Sequence, residues 1–258
     1  MTTPTGDTLE VNLRTQAAAF ADTLNRRLAR IFPGELPQFE VDLRRGRGDR
    51  PTRFKVAPRD PDNPEVDVGL PLVIDDNWAM TLRVEFWCTW DHRRRFLTVE
   101  KSNFRLGVKD YPDPLLRFEY GRELDEDTPV AHLQIHAHRD ETSFLMTRAD
   151  KNRPKARRRT DRMGVLSELH FPLGGHRYRP CLEDILHMVI LEFGAKTVST
   201  WRAELKAGRA EWRRLQLRTA VRDAPEAAAA VLRDAGYEVT WLGSEDPPGE
   251  RIERFECF

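Results

Sequence analysis

Eleven residues constrain the fold of this chain more than any other stretch. Met80, Leu82, Val84, Phe86, Cys88 and Trp90 alternate strictly with Thr81, Arg83, Glu85, Trp87 and Thr89. Successive side chains of a strand point to opposite faces, so a period of two over this length predicts a half-buried β-strand. Cys88 falls on its apolar face as a small filler. Strand-like runs follow at 96–99, 104–108, 115–120 and 130–138. The segments between them, at 91–95, 109–114 and 121–129, are short and polar, which suits antiparallel neighbours joined by hairpins. A meander of four to six strands is expected across roughly residues 68–138.

Helical signals flank this block. Leu13, Ala17, Phe20, Leu24, Leu28 and Ile31 recur at steps of three and four, one face of a 3.6-residue period, and Pro33-Gly34 stops it. Pro180, the acids Glu183 and Asp184, an apolar run from Leu182 to Leu191, and Gly194 mark the start and end of a buried helix. Further helices are predicted over 198–221 and 225–235, the latter ended by Gly236, and 237–242 (YEVTWL) is read as a returning strand. The order helix, strands, helices, strand predicts an α+β fold: an antiparallel sheet meander packed by an N-terminal helix and C-terminal helices. Residues 1–195 form the expected core domain. Residues 196–258 are a helical C-terminal part with a final strand, packed on the same domain. Residues 43–66 read as a surface loop, because Arg44, Arg45, Arg47, Arg50, Arg53, Lys55 and Arg59 are interleaved with Gly and Pro and no apolar period survives.

Composition excludes several classes. The 258 residues carry 42 Lys+Arg against 42 Asp+Glu and are 40% hydrophobic, too rich in apolar residues for a disordered chain. No apolar run approaches the ~18–20 residues of a membrane span. The N-terminus lacks the basic-then-apolar pattern of a secretory signal. Three widely spaced cysteines, Cys88, Cys181 and Cys257, make neither a disulfide framework nor a zinc ribbon. A soluble cytoplasmic protein without a membrane partner is the expectation.

Three of the seven histidines fall in Ala131-His132-Leu133-Gln134-Ile135-His136-Ala137-His138. On a strand, Ala131, Leu133, Ile135 and Ala137 face the core, and His132, Gln134, His136 and His138 face a cleft or solvent. Residues two apart stand roughly 6.8 Å from each other, so His136 and His138 can share a divalent metal such as zinc. His132 cannot join them without a bend. The third ligand must come from elsewhere, with His170, His176, Asp140 and Glu141 as candidates. Arg117 and Glu119 alternate with Leu116, Phe118 and Tyr120. If their strand pairs with the histidine strand, Arg117, Glu119, His132, His136 and His138 make a candidate acid–base site. A structural ion-pair network has the same signature.

Gly174-Gly175, ahead of the Pro180 helix, offers backbone N–H groups to an anion or makes a plain tight turn. No nucleotide-binding glycine motif and no hydrolase nucleophile motif is present. Cys181, at the start of the Pro180 helix, reads as a buried small residue, and His187 as a core histidine. Basic residues cluster at 44–59, along the 198–222 helix and at 148–162, where Lys151, Arg153, Lys155, Arg157, Arg158 and Arg159 are candidate nucleic-acid contacts. Acids concentrate elsewhere, and such segregation steers polyanions even at zero net charge.

The stretches Leu116-Arg117-Phe118-Glu119-Tyr120, Ala131-His132-Leu133-Gln134-Ile135-His136 and Pro180-Cys181-Leu182-Glu183-Asp184-Ile185-Leu186 resemble uncharacterised bacterial families, several from toxin–antitoxin or phage-defence loci. The resemblance spans about residues 115–190. It implies a cytoplasmic bacterial accessory protein of a defence or toxin–antitoxin type system, contacting nucleic acid or a protein encoded nearby. The alternative is a metal-dependent hydrolase, a nuclease or phosphoesterase centred on the His-x-His strand. A third expectation is an interaction module whose histidine face seats a partner.

Overall fold

The computed structural model describes residues 6–44, 52–91, 96–122, 128–136, 166–168, 171–173, 175–244 and 246–256. Eight strands form one antiparallel sheet: β1 (Phe39–Arg44), β2 (Arg53–Pro58), β3 (Leu70–Ile74), β4 (Asn77–Trp90), β5 (Leu97–Val108), β6 (Pro114–Gly121), β7 (Ala131–Ile135) and β8 (Phe171–Pro172). Their order is β1-β2-β4-β5-β6-β7-β8, and the long β4 holds two partners on one edge. β2 pairs with its second half (Phe54 opposite Cys88) and β3 with its first (Leu70 opposite Leu82). The β3–β4 turn puts Asp75 and Asp76 at φ 49° and 62°, the left-handed pair that suits a two-residue hairpin. The helices are α1 (Gly6–Ala29), α2 (Gly175–Tyr178), α3 (Leu182–Phe193), α4 (Trp201–Asp223) and α5 (Pro225–Asp234). The architecture is α+β, and among the described residues no helix is long and apolar enough to cross a membrane.

The alternation of β4 survives intact. Met80, Leu82, Val84, Phe86 and Cys88 are all buried, and cross-strand neighbours Leu106 and Phe104 continue the same apolar face on β5. The Leu13, Ala17, Leu24 and Leu28 stripe of α1, continued by Ile31 in the turn after it, packs on this face, where Phe20 meets Phe86 edge-on at 5.1 Å. Ile185, Leu186 and Val189 of α3 and Leu205 of α4 join the same core. Fully burying one such leucine is worth ~1.5–3 kcal/mol, so this layer is the main source of stability. α3 begins and ends as its residues predict. The Cys181 backbone N–H bonds the Asp184 carboxylate at 3.2 Å, and Gly194 closes the helix at φ 68°.

Two expectations fail. The supposed loop at 43–66 contains the whole of β2, whose Phe54, Val56 and Ala57 are buried. Its basic residues are tolerated because each meets a carboxylate: Arg53 pairs with Glu100, Lys55 with Asp67 and Glu85, and Arg59 with Asp42 and Asp67. The expected final strand at 237–242 does not form. No sheet edge reaches it, and Tyr237, Trp241 and Leu242 are exposed.

Candidate functional site: an arginine-rimmed cavity

The histidine strand carries the acid–base site expected from the sequence. β6 and β7 pair as required, with Glu119 opposite His132 and Arg117 opposite Gln134. Arg117, Glu119 and His132 therefore do come together: Arg117 bonds Glu119 at 2.7 Å, and His132 Nε2 stands 3.4 Å from the other Glu119 oxygen. The expected exposure is inverted, however. His132 is 3% and Gln134 7% exposed, while Leu133 and Ile135 are only half-buried. The His132 Nδ1 faces the Pro129 carbonyl at 2.8 Å, so both ring nitrogens are turned to protein groups. Burial would raise the Glu119 carboxyl, but His132 and Arg117 outweigh it and hold the group at about 2. This is an ionised, fixed carboxylate in an ion-pair network. His136 follows the end of β7. Burial and the Arg117 charge lower its pKa.

His138, His170 and the basic residues Lys151, Arg153, Lys155, Arg157, Arg158 and Arg159 lie outside the described residues, as do Asp140 and Glu141. Among the described residues no group of three or more His, Cys, Asp or Glu side chains is placed to hold a metal ion. Cys88 and Cys181 are buried, and burial raises both thiols, Cys88 to about 12. They are fillers, as read from the sequence. His187 is half-buried, held by Arg209 at 2.9 Å and by the Trp201 ring edge.

A cavity of about 590 Å³ opens beside the C-terminal end of β6, between α1, the sheet, α2, α4 and the C-terminal segment. Its floor is apolar, built from Phe20, Leu24, Phe86, Leu97, Val99 and Phe104, which belong to or abut the core. Its upper walls are cationic, with arginines outnumbering carboxylates. Most of the acids are already engaged. Glu183 and Glu211 hold Arg27 at 2.6 and 2.7 Å, and the buried Asp223 holds Arg177 at 2.5 Å, with Arg251 3.7 Å away. Arg122, Arg179, Arg218 and Arg222 also line the cavity and have no carboxylate within ion-pair distance among the described residues. Arg122 donates to Thr98 Oγ1 at 2.6 Å, and Arg222 lies over the Phe96 ring at 5.2 Å. Arg218 and Arg222 are exposed at the mouth, and Arg179 stands at the buried end.

Arg179 is the unusual group. It is 9% exposed, its guanidinium carbon sits 3.5 Å from the centre of the Tyr120 ring and 5.7 Å from that of Trp212, and it donates a hydrogen bond to the His176 carbonyl. Burial, with the Arg177 and Arg122 charges, pulls it down to about 10 despite the opposing influence of Tyr120. Buried cations are ordinarily paired, since the desolvation cost is several kcal/mol. Here two aromatic rings and a carbonyl supply only part of the compensation.

His176 completes this end. It is buried, its Nδ1 is 3.2 Å from Tyr120 Oη, and its Nε2 is 3.3 Å from Arg254 Nη1. A guanidinium donates and never accepts, so Nε2 is the acceptor and the ring proton sits on Nδ1, donating to Tyr120. Burial, then Arg254, Arg177, Arg179 and Arg122, lowers this imidazole to about 4. His176 was a candidate third metal ligand from sequence. The fold spends both its nitrogens on orienting a tyrosine and an arginine instead. No family model, curated protein or solved structure matches the chain.

Proposed function

We propose that this protein binds a phosphate-bearing ligand, a nucleotide or the phosphate of a nucleic acid, in the arginine-rimmed cavity. Within the defence or toxin–antitoxin setting expected from the resemblance, this makes it an accessory protein that senses or holds such a ligand. The observation that carries the reading is Arg179: a buried guanidinium facing a cavity, without a carboxylate among the described residues. An anion seated there would complete the missing charge compensation with short, charge-assisted hydrogen bonds. Arg122, Arg218 and Arg222 line the same cavity and add charge that no carboxylate among the described residues pairs.

The outer face of α4 supports nucleic-acid contact as an extension of the same site. Arg214 is exposed and stands one and two turns before Arg218 and Arg222 on one face of the helix, while Arg213 lies 3.8 Å from Asp184. Such a strip tracks a backbone and gives salt-dependent binding. The test is thermal unfolding at fixed ionic strength with added pyrophosphate. A ligand present at a hundred times its Kd stabilises by about 2.7 kcal/mol. Wild-type protein should be stabilised, and Arg179→Met and Arg122→Met should lose the response. A wild-type melting curve indifferent to the anion, chloride being the reference, refutes the reading.

A further inference from the structure

The cavity geometry defines its ligand more narrowly than "an anion". We propose that it takes the terminal phosphomonoester of a nucleoside, either as a free mononucleotide or as the phosphorylated end of a nucleic-acid strand; this rests on the anion-binding reading above.

Three features of the cavity point to that class. The first is where the charge lies. Arg179 is buried, stacked on Tyr120 and bonded to the His176 carbonyl. The compact end of a molecule reaches so buried a group more easily than an internal phosphodiester, which carries chain on both sides. The second is the amount of charge. Arg179 and Arg122 have no carboxylate within ion-pair distance among the described residues, and the Arg254 guanidinium meets His176 Nε2 beside them. That corner suits the two negative charges of a monoester better than the single charge of a carboxylate or diester. The neutral His176 imidazole adds no further cation. The third is the rest of the space. Inorganic phosphate would fill a small part of about 590 Å³ and leave water against Phe20, Leu97 and the indole of Trp212. Pockets of this size bury a ligand of nucleotide size or larger. A flat base resting on aromatic side chains gains ~1–3 kcal/mol, about a five- to hundredfold gain in affinity. Apolar floor, stacking surfaces and a cationic end therefore fit one molecule with a planar body and a terminal dianion.

Isothermal titration of the full chain tests this with five probes: AMP, adenosine, inorganic phosphate, a short single-stranded oligonucleotide with a 5′-phosphate, and the same oligonucleotide without it. AMP should bind at least tenfold more tightly than either adenosine or inorganic phosphate. The 5′-phosphate should be worth at least tenfold on the oligonucleotide if the source is a strand end; AMP binding with an oligonucleotide indifferent to its 5′-phosphate assigns the site to free mononucleotide. Arg179→Met should abolish the preference for AMP over adenosine, and Arg122→Met should weaken it, neither variant unfolding earlier than the ligand-free wild type. AMP binding no better than phosphate, or no better than adenosine, overturns the phosphomonoester assignment while leaving an anion site in place. No heat with any probe, together with no stabilisation by pyrophosphate, overturns both.

Discussion

Replacing Arg179 by Met separates a ligand-facing arginine from a structural one, because the two cases predict opposite stabilities. The guanidinium is held at about 10 against an ordinary 12.5, which at 1.36 kcal/mol per pKa unit corresponds to about 3 kcal/mol of unfavourable burial. Substitution removes that cost. It also removes the stacking on Tyr120, worth ~1–2 kcal/mol when desolvated, and leaves the His176 carbonyl without its donor, at ~1 kcal/mol. Methionine keeps most of the packed stem. The net expectation is between no change and about 1 kcal/mol of stabilisation in ligand-free protein. Urea unfolding at pH 7.5, with the slope unchanged, measures it. A structural arginine torn from a buried pair costs ~3–5 kcal/mol. A loss above ~2 kcal/mol in Arg179→Met would refute the claim that this cation lacks a partner.

Other perturbations follow from the same packing. Gly208→Ala should gain less in chemical denaturation than the ~1 kcal/mol the change ordinarily gives a helix. A Cβ there would lie 2.4 Å from Glu183 Oε1 and 2.8 Å from Arg27 Cζ, so the tips of these two ion-paired side chains must shift. Stability should fall as pH drops from 6.5 to 4. His176 binds its proton in the unfolded chain near 6.5 and in the folded protein only near 4, so its contribution is complete above 6.5 and gone below 4. That contribution is ~1–3 kcal/mol, and a His176→Gln variant should show a flatter profile over this window. Leu82→Ala, at a fully buried site, should cost ~2–5 kcal/mol, and Ile135→Ala, at a half-buried one, clearly less. Equal losses would contradict the assignment of the core to the α1 face of the sheet.

The elements whose apolar face meets the core were legible in the sequence. The Met80–Trp90 alternation, the Leu13–Ile31 stripe and the Pro180-to-Gly194 signals all reappear as β4, α1 and α3, because one apolar face forces one period. β2 escaped notice for a physical reason. Its inward Phe54, Val56 and Pro58 alternate with Arg53, Lys55 and Ala57, and the basic residues concealed the pattern. Their neutralising partners, Asp67, Glu85 and Glu100, come from remote segments. The 237–242 run has strand periodicity, yet a strand needs an edge to pair with, and the sequence does not tell whether one is nearby.

The pairing of Arg117 and Glu119 with His132 was readable, since alternation and a hairpin register bring them together. The burial of that polar face was not. The cavity lay further out of reach. Arg122 follows β6, Arg179 follows α2, Arg218 and Arg222 belong to α4, and no local motif links them. One signal was present: Arg177 and Arg179 flank Tyr178 between Gly174-Gly175 and Pro180. Two cations beside a glycine turn and a helix start deserved the weight given to the histidines.

A crystal structure of the protein grown with AMP tests the central claim most directly. The account predicts the phosphate at the buried end of the cavity, its oxygens ~2.7–2.9 Å from the Arg179 guanidinium nitrogens, with Arg122 turned toward it. A carboxylate of the chain itself seated on Arg179, or AMP bound elsewhere with the cavity filled by protein, would contradict it.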